Sequence, residues 1–364
     1  MKRLFDWLRG PGPLPKAMLI EGAPAFGNSL PELWMAYRMR WKRRRLLLRA
    51  WRKRKQITPV QDRTGLIKPD DILGAMVVRN EMLRLPYFLD YHRKLGVDHF
   101  LIVDNASDDG TAEYLAQQPD VSLWTTPASY KLSRFGLDWI TWVQRHHAHG
   151  HWCLTLDADE LLAYRDWPNR DLKALTRWLD ARGEAMFGTI MLDMYPKGPL
   201  GAQTHAPDAD PIKTLGWFDA TGYRVQVQPK MRNLWVQGGV RARHFFSDEP
   251  ARAPTLNKIP LVKWDRGYVY VNSTHALLPR KLNRVYAEAG RTPPKGVLLH
   301  TKFLPNIADK STEELTRRQH FANSALYEGY YAALIDDPDL WCPESVAYQG
   351  WEQLEALGFI SDGE

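Results

Sequence analysis

Three acidic side chains close the segment WCLTLDADELL, residues 152–162: Asp157, Asp159 and Glu160 directly follow an apolar run. In extended backbone Asp157 and Asp159 project to the same side, because side chains alternate along a strand. Two such carboxylates repel each other, and each tends to hold a proton unless a cation relieves the pair. A divalent ion of the Mg²⁺ or Mn²⁺ type takes oxygen ligands and keeps positions for phosphate oxygens, so it fits that need. An exposed acidic turn is the plainer alternative; a buried strand just before the motif favours the functional one. Two more polar clusters follow apolar runs in the same way. Arg79-Asn80-Glu81 comes after ILGAMVV (72–78), and Asp104-Asn105 ends HFLIVD (99–104).

The elements that must position these residues alternate. Short apolar runs at 72–78, 99–104, 121–126, 152–157 and 187–195 read as strands. Between them lie helical patterns, including one through Leu83, Phe88, Leu89 and Leu95 that Gly96 closes, and others over 134–148 and 171–182. NASDDGT (105–111) is a turn. Strands alternating with helices predict an α/β fold, with a mostly parallel central sheet covered by helices on both faces. Ligands of such sheets bind at the carboxyl ends of strands, where all three polar clusters fall. The stretch PVQDRTGLIKPDD (59–71) reads as a linker, and 311–335 as a helical tail. The expected organisation is a basic extension with linker (1–70), a catalytic domain (71–305, divided into 71–195 and 196–305) and a helical carboxyl-terminal tail (306–364).

The first turn, VVRNEML, contains no glycine, and the chain has no GxxxxGK[ST] loop. Dinucleotide hydride transfer and P-loop phosphoryl transfer are therefore disfavoured. The net charge of +7 is concentrated in residues 38–55, RMRWKRRRLLLRAWRKRK, with eleven Lys and Arg and no acid. The rest of the chain is mildly acidic, so no nucleic-acid partner is expected. Trp41, Leu47, Leu48 and Trp51 set an apolar stripe among these cations. It suits either packing on the main domain or an anionic membrane surface. Two cysteines, Cys153 and Cys342, make no disulfide framework. No run is long and apolar enough to span a bilayer, and the proline-broken amino terminus lacks a signal-peptide core. A cytoplasmic protein, peripheral on the inner face of the membrane, is the expectation.

The stretch RNEMLRLPYFLDYHRKLGVDHFLIVDNASDDGT…WCLTLDADELL resembles the family 2-like glycosyltransferases of the GT-A fold over roughly residues 74–195. The resemblance rests on three ordered motifs: Arg-Asn-Glu after strand one, Val-Asp-Asn-x-Ser-x-Asp-Gly-Thr after strand two, and the DxD. The pieces KIPLVKW (258–264), STH (273–275) and LLHTKF (298–303) are similar to carboxyl-terminal portions of bacterial members. It implies an enzyme that transfers a sugar from a nucleoside diphosphate sugar to an acceptor hydroxyl, with inversion. The acceptor would be a cell-surface glycan or its lipid-linked precursor. By the same resemblance Asp104 contacts the nucleoside, Val78, Arg79 and Glu81 line its pocket, and Asp157 and Asp159 hold the metal and sugar nucleotide. A nucleotidyl- or sugar-phosphate-handling enzyme and a catalytically silent nucleotide- or glycan-binding module are the alternatives on the same fold.

The remaining roles are less determined. For the base that deprotonates the acceptor, Asp248 and Glu249 in HFFSDEP are nearest in spacing, with Asp193 and Asp265 as rivals. His300 and Lys302 share one side of a strand, the first a metal ligand by type and the second a cation suited to phosphate. His275 competes for the ligand role, and a core histidine is the ordinary alternative for both. Arg241 and Arg243 suit either phosphate or a structural ion pair. Asp109 and Gly110 read as shaping their turn. Trp217, Phe218 and Trp235 read as core, with a sugar-facing role as the alternative.

Overall fold

The computed structural model describes residues 29–285, 293–317 and 327–363. The amino-terminal part of the basic extension, residues 1–28, lies outside the described residues, as do 318–326 of the expected helical tail and Glu364.

A nine-stranded sheet organises the chain. Its strands are β1 (Thr58–Gln61), β2 (Leu73–Val78), β3 (His99–Asp104), β4 (Val121–Thr125), β5 (Trp152–Thr155), β6 (Glu160–Ala163), β7 (Met186–Asp193), β8 (Asn257–Lys263) and β9 (Lys295–His300). Their order is β1-β4-β3-β2-β5-β8-β7-β9-β6. β4, β3, β2 and β5 pair in parallel, and β9 pairs in parallel with β7. β8 runs antiparallel between β5 and β7, while β1 and β6 close the two edges antiparallel. The sheet is thus mixed, with most strands in one direction. β3 is buried along its whole length, which is why HFLIVD reads as a continuous apolar run and not an alternation. On β2, Gly74 lets the Phe100 ring approach: a Cβ there would lie 2.5 Å from it.

The helices of six residues or more among the described residues are α1 (Leu30–Lys53), α2 (Leu85–Leu95), α3 (Thr111–Ala116), α4 (Leu137–His147), α5 (Leu172–Ala181), α6 (Ile307–Arg317), α7 (Glu328–Ile335) and α8 (Trp351–Ala356). On α2, Leu85, Phe88, Leu89, His92 and Leu95 are buried at helical spacing, and Gly96 ends the helix at φ 102°. Asp171 caps α5, accepting from the Ala174 N–H at 2.7 Å. Among the described residues, no helix is long and apolar enough to cross a membrane.

Two boundaries differ from the sequence reading. Residues 59–61 of the expected linker belong to the edge strand β1, whose mixed composition hides its pairing with β4. The tail beyond 306 is not a separate appendage. Val346–Ala347 pairs with Trp217–Phe218, Ser361 bridges Lys295, and α6 lines the cavity described next.

Candidate active site at the carboxyl ends of the sheet strands

From β2 the chain proceeds outward through β3 and β4, then returns to β5 on the other side of β2. Ligands of α/β sheets bind in the crevice beyond such a switch point. A cavity of about 690 Å³ opens there, a volume suited to a small-molecule ligand. Val78, Arg79 and Glu81 line it from the end of β2, residues 155–160 from the end of β5, and His300 and Lys302 from the end of β9.

Residues 157–160 form a turn and not the extended segment inferred from the sequence. The Glu160 N–H donates to the Asp157 carbonyl at 3.2 Å, and the Glu160 carboxylate accepts from the Asp157 N–H at 3.1 Å. The two aspartates therefore part company. Lys258 Nζ donates to Asp157 Oδ2 at 2.7 Å and also to the Glu160 carboxylate. Burial alone would lower the Lys258 pKa, but Asp157 and Glu160 outweigh it and hold the ammonium charged. Burial pushes Glu160 up to about 7 against the opposing pull of Lys258. Half of the Asp157 side chain remains exposed to the cavity.

Asp159 belongs to a second chain of contacts. β9 lies between β7 and β6 in a register that sets His300 beside Asp193 on one side and Glu160 on the other. His300 Nε2 lies 3.1 Å from Asp159 Oδ2, and Nδ1 lies 2.5 Å from Asp193 Oδ1. Arg241 Nε then donates to Asp193 Oδ2 at 2.7 Å. Burial would lower the His300 pKa, but Asp159 and Asp193 raise it above the ordinary imidazole value. Burial would raise Asp159, yet His300, Arg84 and Lys302 hold it well below the usual carboxylate range. Asp193 is likewise held low, against burial, by Arg241 and His300.

These shifts fix a pH dependence of stability in chelator. His300 has a raised pKa, so its contribution is complete below the ordinary 6.5 and disappears as pH rises through the folded value. Asp159 and Asp193 have lowered values, so theirs is complete above the ordinary 3.8 and disappears as pH falls through the folded values. The melting-temperature gap between wild type and His300→Gln should therefore be widest between about pH 4 and 6.5 and narrow as pH rises through the folded His300 value. A gap independent of pH would show that His300 is not charged in the fold.

The donor set also fits a divalent ion, with Asp159 and His300 as its protein ligands. Asp159 Oδ2 and His300 Nε2 lie 3.1 Å apart on the cavity side, so an ion would be held by both in place of their hydrogen bond, with the imidazole neutral. Asp193 on Nδ1 is the outer carboxylate that orients a ligating imidazole. Asp157, expected as a third ligand, is held by Lys258 instead. Among the described residues no three His, Cys, Asp or Glu side chains gather as a ready ligand set. Ions of this class complete their shell with water and substrate phosphate.

The Arg79-Asn80-Glu81 and Asn105–Thr111 segments are joined by hydrogen bonds that explain their composition. Ser107 Oγ accepts from the Asn80 N–H, Asn80 Oδ1 from the Asp108 N–H, and Thr111 Oγ1 from the Glu81 N–H, each at 3.0 Å. Asp109 caps both Met82 and Thr111 at 3.0 Å, and Gly110 has φ 88°. Both residues shape the turn. Asp104 differs from expectation: its carboxylate is buried and accepts from the Ser107 N–H and hydroxyl. Its neighbour Asn105, not Asp104, lines the cavity. Arg79 reaches the Asn105 carbonyl at 2.7 Å and Glu313 of α6 at 3.1 Å, while Glu81 pairs with Arg84 and with Lys310 of α6.

Asp193 cannot take a proton from an acceptor, because both oxygens are committed and the residue is buried. Asp248 and Glu249 lie exposed on a loop outside the cavity wall, with Glu249 paired to Arg252 at 2.7 Å. Asp265 lies 3.6 Å from His149, also away from the cavity. Arg241 and Arg243 serve Asp193 and Asp219. His275 Nδ1 donates to the Asn257 carbonyl at 2.6 Å, and burial pushes its pKa down to about 3. Phe218 is core, Trp217 packs edge-on against Trp341, and Trp235 lines the cavity.

Sequence reasoning did not single out Lys258, Arg84 or α6 for the site. Lys258 carried a signal, because a lysine inside the apolar run KIPLVK has to meet an acid if that run is buried. Arg84 and α6 carried none, since each reaches the cavity only through tertiary packing. No known protein-family model matches the chain, and no curated protein sequence matches it.

Proposed function

We propose that this chain is a glycosyltransferase of the GT-A type, moving a sugar from a nucleoside diphosphate sugar to an acceptor hydroxyl. The observation that carries the reading is the Asp159–His300–Asp193 chain at the switch-point cavity, with cations beside it. Asp193 accepts a hydrogen bond from the His300 Nδ1–H and leaves Nε2 aimed at Asp159. A bound divalent ion would supply Lewis-acid stabilisation of the negative charge that develops on the departing diphosphate. The chain adds cations of its own. Lys302 lines the cavity and makes no ion pair among the described residues. Arg84 lies close enough to help hold Asp159 ionised. Lys258 pairs with Asp157 on the cavity wall, where a carboxylate can accept from sugar or ribose hydroxyls. Trp235 offers an aromatic wall to a sugar ring.

Lys302 gives this reading a pH signature. Burial, with Arg241 nearby, pushes its ammonium down to about 8. Donor binding that uses the charged form weakens as pH rises through that value. The KM for the donor should climb between pH 7 and 9, and Lys302→Arg should flatten the climb because a guanidinium stays charged. Identical profiles in the two proteins would remove Lys302 from diphosphate binding. The direct test of the reading is release of nucleoside diphosphate from UDP-, GDP- and dTDP-sugars with Mn²⁺; a silent binding module releases none.

A further inference from the structure

Helix α1 carries apolar residues on two opposite sides, and among the described residues only one side is covered. Met39 and Leu46 join Val269 and Leu278 in a small core, and Ala50 is buried on the same side. At 100° per residue, Leu30, Trp34, Tyr37, Trp41 and Leu48 recur on the opposite side, with Trp51 beside them. These six are between 46% and 82% exposed. The sequence had suggested one stripe through Trp41, Leu47, Leu48 and Trp51. The packing divides it, keeping Leu47 against the body and turning the other three to solvent.

The charge around the outer face points to its occupant. Arg38, Arg40, Arg44, Arg45 and Arg52 are exposed there, and Arg44 lies over the Trp41 ring at 5.2 Å. The one acid of the helix, Glu32, is turned to the body by Arg232 and Arg280 at 2.9 and 3.1 Å. A second copy of the chain would bring like charges face to face. A nucleic acid would neutralise the arginines and leave the aliphatic side chains without a partner. An anionic lipid surface satisfies both parts, taking the aromatic rings at headgroup depth and the arginines at the phosphates.

One flank of α1 is tied to a segment of the cavity wall. Arg49 of α1 donates to the Leu132 carbonyl and to Asp138. Leu132 is itself an exposed apolar side chain, while Tyr130 and Phe135 of that short segment line the cavity. We propose that α1 is an interfacial helix that seats the protein on an anionic lipid surface, and that the acceptor reaches the cavity from that surface attached to a lipid. The second half rests on the glycosyltransferase reading; the first does not.

Co-sedimentation of the full chain with phosphatidylcholine vesicles, with and without phosphatidylglycerol, tests the surface. Binding is expected to the anionic vesicles alone and to fall as salt is raised. Trp34→Ala/Trp41→Ala/Trp51→Ala, all exposed positions, should weaken it at least ten-fold while donor hydrolysis in solution is unchanged. Equal sedimentation with neutral vesicles, or equal binding by the triple variant, would overturn the proposal. So would a wild-type dimer that the triple variant abolishes, which would assign the face to a second copy. For the acceptor, a lipid-linked glycan should be used in anionic vesicles by wild type at least ten-fold faster than by the triple variant; equal rates would defeat the lipid-linked assignment. Vesicle binding without donor hydrolysis would leave the surface standing and remove the glycosyltransferase reading.

Discussion

Asp159→Asn should lower kcat for sugar transfer by about 100-fold or more while the protein stays folded, since preorganised charge at a reacting centre commonly contributes that much. The replacement keeps the size of the side chain and a hydrogen-bond partner for His300 Nε2. It removes the negative charge that both His300 and a divalent ion require on the cavity side. Two readouts separate its effects. Thermal unfolding in chelator reports the loss of the His300 ion pair, and titration of activity with Mn²⁺ reports the loss of the ion. The second effect should dominate. Near-wild-type turnover in Asp159→Asn, with an unchanged Mn²⁺ requirement, would mean that the ion and the leaving group are held elsewhere.

Lys258→Met should produce the largest loss of stability, about 3–5 kcal/mol, because removing one member of a buried ion pair strands the other. Glu160 is fully buried, and Lys258 holds it together with Asp157 across the turn. Methionine fills the space without the charge, leaving Glu160 to protonate or to draw in water. The double variant Lys258→Met/Glu160→Gln should recover part of the loss, since the stranded carboxylate is then gone. Equilibrium unfolding in urea measures both. A single variant as stable as wild type, or a double variant less stable than the single, would show that the three residues are not an energetic unit.

The strands that carry the site were legible because each is a short apolar run ended by turn-forming polar residues. HFLIVD and its turn read directly, and so did the acidic turn after β5. The contact between Asp159 and His300 was also accessible, because LLHTKF resembles a carboxyl-terminal element of the family and both residues follow apolar runs that read as buried strands. What lay beyond sequence was register. Nothing in LLHTKF says that β9 will pair with β7 so as to seat His300 against Asp193. Asp193 therefore looked like an available carboxylate when it is a buried anchor for an imidazole. Spacing along the chain misled at Asp248 and Glu249 for a related reason: closeness in sequence to an expected motif does not place a side chain on the cavity wall. Asp104 was misread because its best hydrogen-bond partner, Ser107, lies three residues away in its own turn.

On the proposed reading, the switch-point cavity binds a nucleoside diphosphate sugar and cleaves it at the anomeric carbon with the help of Asp159 and His300. The decisive assay is release of nucleoside diphosphate from a panel of UDP-, GDP- and dTDP-sugars by wild type, Asp159→Asn and His300→Ala, with Mn²⁺ and with chelator. Wild type with Mn²⁺ should release it from at least one donor, with a loss of at least about 100-fold in both variants and in chelator. No release from any donor, or equal release by all three proteins, would contradict that reading.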